Sequence, residues 1–375
     1  MDKIYINDMN LVSPLGCNLD ENWHNLLADK TGLQSDVTVG RYKNITASSI
    51  DKSVLDAYCS ENDLNFGTEK IEQMFHLALQ PLVEKNKINE DSILILSTTK
   101  GEIDHLKKGT YIAALFENLA HKMAEYYGFK TKPIIVSNAC ISGVLAVITA
   151  KRLLQMNFAS TAYVVGIDLL SEFVVSGFNS FQAMDLNSCK PFDVNHAGVN
   201  LGEAAASLYL SKSETLGSFE ILGTSCISDA NHISGPSRTA DGLYLSIQKA
   251  LLESGISTDD ISSISAHGTA TVYNDEMEAM AINRAALSHV PVNSLKGVYG
   301  HTLGAAGLVE LAIHCCAMKA DLFLKTPGFK TLGVPHELAV LTENKTGNNK
   351  VLLKLASGFG GSNAAILIQK RTNEL

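Results

Sequence analysis

Short runs of β-branched and other apolar residues alternate along the chain with longer stretches whose apolar positions recur at helical spacing, which predicts a layered α/β fold. Strands are expected at 92–98, 133–137, 162–166, 204–210, 219–224, 261–266, 350–356 and 364–369. Several of these are apolar at consecutive rather than alternate positions, so helices should cover both faces of their sheet. The polar stretch 211–218 is the best candidate for a mid-chain joint and cuts the sequence into comparable halves.

Each half holds one unusual helix start, dense in small residues and running into an apolar stretch with hardly any charge. The first is Asn138-Ala139-Cys140-Ile141-Ser142-Gly143-Val144, and the second is Gly300-His301-Thr302-Leu303-Gly304-Ala305-Ala306-Gly307. Helices that are apolar all round belong in an interior, and small residues let two backbones approach closely. The pair predicts an internal pseudo-repeat whose central helices pack together.

Composition narrows the function classes. A chain of 375 residues that is 46% hydrophobic and 18% charged has the material for a large core and is not a disordered segment. Its net charge of −9 argues against a nucleic-acid binder, which would carry a basic face. The seven cysteines are odd in number and scattered, without paired or zinc-ligand spacing. No metal site is therefore expected, and free thiols in the cytoplasm are the simplest reading. No secretory signal is evident at the start, and no run approaches the roughly eighteen apolar residues of a membrane span.

Candidate chemistry gathers at a few residues. Cys140 is expected on a strand-to-helix turn at a helix N-terminus, where unpaired N–H groups and the macrodipole should lower its pKa and make it a nucleophile. On position alone a core cysteine reads equally well. His267 follows a strand in Ser265-Ala266-His267-Gly268-Thr269-Ala270-Thr271, a setting that suits either a substrate loop or a solvent-facing turn. His301 lies near Lys296 and Glu310. A carboxylate on an apolar helix needs a counter-ion, and Lys296 is the expected one, whether the pair is structural, catalytic or both. His314, Cys315 and Cys316 occupy consecutive helical positions that point apart, so core packing suits them better than metal ligation. The turn Ser357-Gly358-Phe359-Gly360-Gly361 lacks a phosphate-loop lysine and reads as a backbone-amide turn.

Taken together, these segments resemble the β-ketoacyl-[acyl carrier protein] synthases of the thiolase fold. The resemblance runs from Asn10-Leu11-Val12-Ser13-Pro14-Leu15-Gly16 to Gly358-Phe359-Gly360-Gly361-Ser362-Asn363-Ala364. It rests on five motifs in the family's order: the Asn138-Ala139-Cys140 turn, Lys190-Pro191-Phe192-Asp193, His267-Gly268-Thr269, Lys296 with Gly300-His301 and Gly304 to Gly307, and the terminal glycine-rich turn. It implies a five-layer α-β-α-β-α fold of two similar halves, 1–215 with the nucleophilic cysteine and 216–375 with two catalytic histidines.

The resemblance further implies that Cys140 accepts an acyl group from the phosphopantetheine of an acyl carrier protein. His267 and His301 would hold a malonyl thioester during decarboxylation, Lys296 and Glu310 would polarise the site, and the N–H groups of Cys140 and Phe359 would form an oxyanion hole. Thr269, Thr271 and Ser234 match positions that bind the pantetheine arm, with Gly358 and Gly360 beside them. Phe359 also matches a gating side chain. No cofactor beyond the carrier-bound substrates is implied.

Two departures stand out. The segment 100–132 is shorter than in housekeeping members, where it supplies dimer contacts and the end of the acyl pocket. His196 replaces an arginine that often meets the carrier, which shifts attention to Lys107, Lys108 or Lys190. Both suggest a specialised pathway such as a polyene or pigment. A homodimer or a heterodimer with a chain-length-factor-like subunit is expected. The alternatives are a non-catalytic partner subunit, which would lack Cys140, and a thiolase, which would need Cys315 or Cys316 as a second catalytic cysteine.

Overall fold

The computed structural model describes residues 2–112, 114–229 and 235–371. Eleven strands form one mixed sheet. From one edge they run Ala339–Val340, Pro291–Asn293, Ser263–Ser265, Val351–Gly358, Ser362–Lys370, Phe219–Ser228, Tyr5–Val12, Ala204–Ser211, Thr161–Asp168, Ile93–Ser97 and Ile134–Val136. Each of the eight expected strands is present, with modest shifts at its ends.

Phe219–Ser228 and Tyr5–Val12 meet only at Tyr5 with Glu220 and Ile6 with Phe219, so a short seam divides the sheet. Outward from that seam each side repeats one succession of pairings. Two antiparallel ladders come first, then parallel ones. Consecutive apolar residues in these strands serve two cores at once, because successive side chains leave opposite faces. Ile93 and Ile95 enter the central core, whereas Leu94 and Leu96 enter an outer one beneath Lys70–Lys85 and Phe116–Tyr127. On the other side Leu352 and Ile366 face the centre, and Leu353 and Leu367 face Asp241–Ser254 and Val272–Arg284.

The middle layer holds Ser142–Gln155 and Ala306–Lys319, the two small-residue helices. Their backbones touch where glycines remove the side chains. A Cβ on Gly307 would stand 2.7 Å from the Val144 backbone nitrogen, and one on Gly143 would stand 2.7 Å from Leu308 Cδ1. This five-layer α-β-α-β-α stacking is the thiolase-type fold expected from the sequence. Among the described residues no helix is long and apolar enough to cross a membrane.

Tyr5–Val12 is the main element missing from the sequence reading. Asn7, Asp8 and Asn10 interrupt its pattern, and a register shift between Ile6 and Asp8 breaks its alternation. Buried Asn10 is nonetheless satisfied, donating to the Leu77 carbonyl at 2.8 Å and accepting from the Leu19 N–H at 2.9 Å.

Candidate active site

Strand Ile134–Val136 ends in a sharp turn, with Ala139 at φ 43°, and the helix begins at Ser142. Ser142 Oγ accepts the Asn138 N–H at 2.7 Å and donates to the Ala139 carbonyl at 2.6 Å, which locks the turn. Cys140 sits at its crest, 8% exposed, and its sulfur meets the backbone N–H groups of Phe359 and of Cys140 itself. Phe359 belongs to a tight hairpin that joins Val351–Gly358 to Ser362–Lys370, with Gly360 and Gly361 at φ 86° and 78°. Gly358 lies so close that a Cβ there would be 3.1 Å from the Cys140 nitrogen. These glycines permit close approach and positive φ rather than cradling a phosphate.

The thiol pKa corrects the sequence reading. Burial pushes Cys140 up to about 11, although Lys296 and the two N–H groups pull it down. That rise corresponds to about 3 kcal/mol, more than the ~0.3–1 kcal/mol typical of a helix end. In addition, Cys140 precedes the first helical turn rather than capping it. At rest Cys140 is therefore a protonated thiol.

His267 follows strand Ser263–Ser265, and His301 follows the short helix Lys296–Tyr299 through Gly300 at φ 66°. Their rings lie 5.2 Å apart and nearly perpendicular. The ligand atoms of Cys140, His267 and His301 all fall within 4.8 Å of one another. Hydrogen bonds fix both tautomers. The Leu303 N–H donates to Nδ1 of His301 at 3.4 Å, and the Lys296 ammonium stands 3.3 Å from Nδ1 of His267. Both rings therefore carry their proton on Nε2. Nε2 of His301 is buried without a partner among the described residues and is available to a substrate oxygen. Burial, reinforced by Lys296, holds both imidazoles neutral, well below the ordinary histidine range. The same tautomers leave no Nε2 lone pair for a metal ion, and the adjacent ammonium would repel one.

The expected Lys296–Glu310 pair is present at 2.7 Å and fully buried. A second buried cation was missed: Lys354 stands 2.5 Å from the other oxygen of Glu310. The sequence carried its signal, a lone lysine within the apolar strand Val351-Leu352-Leu353-Lys354-Leu355. Asp168 makes a further buried anchor, accepting from Thr98, Thr99, Lys100 and the Gly304 N–H at the start of the second central helix.

Cys140, His267 and His301, but not the buried lysines and carboxylates behind them, line a cleft of about 1110 Å³. Thr269 and Thr271 line it with their hydroxyls 2.8 Å apart, and Gly358 and Gly360 contribute to its wall. Ser234 lies outside the described residues. Phe359 packs against Phe178 at 5.3 Å and Phe181 at 5.4 Å, and Phe178 lies edge-on to His301; the sequence reading missed both partners. Arg238 is exposed on the rim and makes no ion pair among the described residues. Lys107, Lys108 and Lys190 do not line the cleft, and Lys107 is engaged by Glu172 at 2.6 Å. His196 is buried 3.7 Å from Asp275, and burial holds its pKa low, so it presents no cation. Asp193 is structural, accepting the N–H groups of Lys330, Thr331 and Asn195. His314 and Cys315 pack in the core as expected, with Nδ1 of His314 2.8 Å from the Glu310 carbonyl.

Comparison with known proteins agrees with this constellation. The family model "Beta-ketoacyl synthase, N-terminal domain" matches residues 90–215, and "Beta-ketoacyl synthase, C-terminal domain" matches 218–330. The chain is 25% identical over 432 residues to a putative 3-oxoacyl-[acyl-carrier-protein] synthase, mitochondrial, of Schizosaccharomyces pombe, covering 99% of both. It is 31% identical over 263 residues to a polyketide biosynthesis malonyl-ACP decarboxylase of Bacillus subtilis, covering 65% of this chain and 62% of that one. Its fold matches a ketosynthase solved in complex with its chain length factor from Xenorhabdus doucetiae, with TM-score 0.85, 23% identity and coverage of 99% and 98%. Two family models together span the nucleophile turn, both histidines and the Lys296–Glu310 pair, and on that ground the chain belongs to the beta-ketoacyl synthase family of condensing enzymes.

Proposed function

We propose that the protein extends carrier-bound acyl chains by two carbons through decarboxylative Claisen condensation. The observation that carries this reading is a single one. A thiol facing two backbone N–H groups stands opposite two neutral imidazoles whose Nε2–H donors converge on the same space. Cys140 attacks the primer thioester, and its proton leaves with the thiol of the phosphopantetheine arm. The malonyl thioester oxygen then accepts from Nε2 of His267 and His301. The bond to the carboxylate breaks, carbon leaves as CO2 (or as bicarbonate where a water adds to it and gives up a proton), and the electron pair enters an enolate that the two donors stabilise. The enolate carbon attacks the acyl-Cys140 carbonyl, whose oxyanion is held by the N–H groups of Cys140 and Phe359. Collapse expels the Cys140 thiolate, which recovers a proton from water. Phe359, with Phe178 and Phe181, gates the passage, and no cofactor beyond the carriers takes part.

The residues divide between halves 1–215 and 216–375, with Cys140 in the first and the histidines in the second. A second subunit, identical or chain-length-factor-like, would cover the exposed Tyr111, Ile112 and Leu115 and the free edge strand Ile134–Val136. A polyene or pigment pathway remains our reading of the short 100–132 segment. Seven free cysteines support a reducing compartment, the cytoplasm in our assignment. A thiolase reading is disfavoured because Cys315 and Cys316 lie away from the cleft lining.

The test is to incubate the purified protein with acyl carriers of several lengths and malonyl carrier, then to analyse protein and product by mass spectrometry. A Cys140 acyl adduct and a product two carbons longer are expected. An unmodified Cys140 with every primer would refute the reading.

Arg238 supplies the positive charge that His196 lacks, and in our reading it meets the phosphate of the arm. Charge-assisted bonds of this kind are worth about 1.5–3 kcal/mol. Arg238→Ala should therefore raise KM at least about tenfold for phosphopantetheine thioesters and leave pantetheine thioesters unchanged. Equal effects on both would remove Arg238 from this role.

A further inference from the structure

Lys354 has no part in the chemistry above, yet it is one of the most costly groups in the protein to bury. Its side chain is 0% exposed in the strand Val351–Gly358, where it sits between Leu353 and Leu355. That strand runs parallel to Ser263–Ser265, with Lys354 opposite Ser265, so the ammonium lies beside the segment leading to His267. It contacts Glu310 Oε2 at 2.5 Å and donates to the carbonyls of Ser265 at 3.4 Å and Ala266 at 3.2 Å.

The neighbouring backbone is gripped in the same manner. Lys296 donates to the His267 carbonyl at 2.5 Å and to Glu310 Oε1 at 2.7 Å. Glu278 accepts the N–H groups of His267 at 2.5 Å and Gly268 at 2.6 Å. Ser294 Oγ donates to the Gly268 carbonyl at 2.7 Å, and the Ala266 N–H donates to Asn293 at 2.9 Å. Two lysines and two carboxylates thus enclose the loop that carries His267, with Glu310 held between the lysines.

We infer that Lys354 is a positioning residue for malonyl decarboxylation: by occupying one oxygen of Glu310, it keeps Lys296 aimed at Nδ1 of His267 and so keeps the proton of His267 on Nε2. The inference rests on the condensing reading above. Without Lys354, Glu310 has an uncompensated buried oxygen that draws the Lys296 ammonium across both of its oxygens. Nδ1 of His267 then loses its donor, the ring is free to carry its proton on Nδ1, and Nε2 becomes an acceptor facing an enolate.

The charged and titratable groups packed around His267 are Lys296, Lys354, His301, Cys140, Glu278 and Glu310. Burial is the main cause that holds its pKa down, and Lys296, His301 and, least of the four, Lys354 add to it. Removing Lys354 should therefore raise it, moving the acid limb of decarboxylation to higher pH.

The experiment compares wild type with Lys354→Met and Lys354→Gln, the latter keeping a donor without charge. Three quantities are measured: Cys140 acylation by mass spectrometry, malonyl-carrier decarboxylation from pH 5.5 to 8.5, and the tautomer of 15N-labelled His267 by NMR. Acylation should stay within about twofold. Decarboxylation kcat should fall about ten- to a hundredfold with little change in KM, the scale expected for a misplaced catalytic group. Lys354→Gln should resemble Lys354→Met, and both should lose the uniform Nε2–H signature. Wild-type kinetics in Lys354→Gln, equal loss of both half-reactions, or failure of both variants to fold would make Lys354 a scaffold residue and overturn the inference. A wild-type protein that neither acylates nor decarboxylates would overturn the functional reading instead, and the tautomer comparison would still test the positioning.

Discussion

Cys140→Gln is expected to abolish condensation while malonyl decarboxylation continues. Loss of the nucleophile removes the covalent acyl intermediate, and deleting the attacking residue of a covalent enzyme typically costs on the order of 10⁴-fold or more. The carboxamide, however, enters the place where the acyl thioester would sit. Its oxygen can accept from the N–H groups of Phe359 and residue 140 that now face the sulfur. Neither histidine tautomer depends on Cys140, because their Nδ1 atoms are held by Lys296 and the Leu303 N–H. Malonyl carrier should therefore be converted to acetyl carrier with CO2 release and without any elongated product, as followed by mass spectrometry. Loss of decarboxylation in a folded variant would contradict the division of labour between sulfur and imidazoles.

The site was more legible than the sheet that supports it. Cys140, His267, His301, Lys296 and Glu310 each stand at a point where the local pattern breaks: a small-residue turn, a strand end or a charge on an apolar helix. Backbone geometry demands those breaks. Lys354 made the same kind of break in a strand, but a single lysine in a short apolar run also fits an edge position, and only the parallel partner Ser263–Ser265 reveals its burial. Tyr5–Val12 stayed hidden because Asn7 and Asn10 break its apolar run, Asn7 donating to Ser211 and the Ser213 carbonyl and Asn10 bonding to the Leu77 carbonyl and the Leu19 N–H. Pro291–Asn293 and Ala339–Val340 are too short to show a period. The sign of the Cys140 shift was misread for a different reason. A helix N-terminus can be inferred from local sequence, whereas desolvation is set by whatever distant parts of the chain pack around the thiol. Arg238, Phe178 and Phe181 come together only through the cleft they line.

The second large effect is expected at His301. Its Nε2–H is buried without a partner among the described residues, and in the proposed mechanism it is one of two donors to the malonyl thioester oxygen. Removing one such donor typically costs about 10²–10³ in rate. His301→Ala should therefore lower decarboxylation by that amount, and His301→Asn, which restores an N–H donor of similar reach, should recover part of it. The two half-reactions should also separate on the pH axis. Both imidazoles are held neutral well below the ordinary range, so decarboxylation should be flat from pH 8 down through 6.5. At Cys140, pushed up to about 11, only about one molecule in ten thousand is a thiolate at pH 7. Its alkylation by iodoacetamide should accordingly rise about tenfold per pH unit between 7 and 9. The histidines carry a matching stability signature. Their folded values lie below the unfolded one, so in acid the unfolded chain binds protons that the folded site refuses, and stability is lost as the pH falls below about 6.5. A decarboxylation profile that instead declines between pH 8 and 6.5 would mean that the imidazoles titrate in the working range, and that burial and Lys296 do not hold them in the neutral form from which the enolate is stabilised.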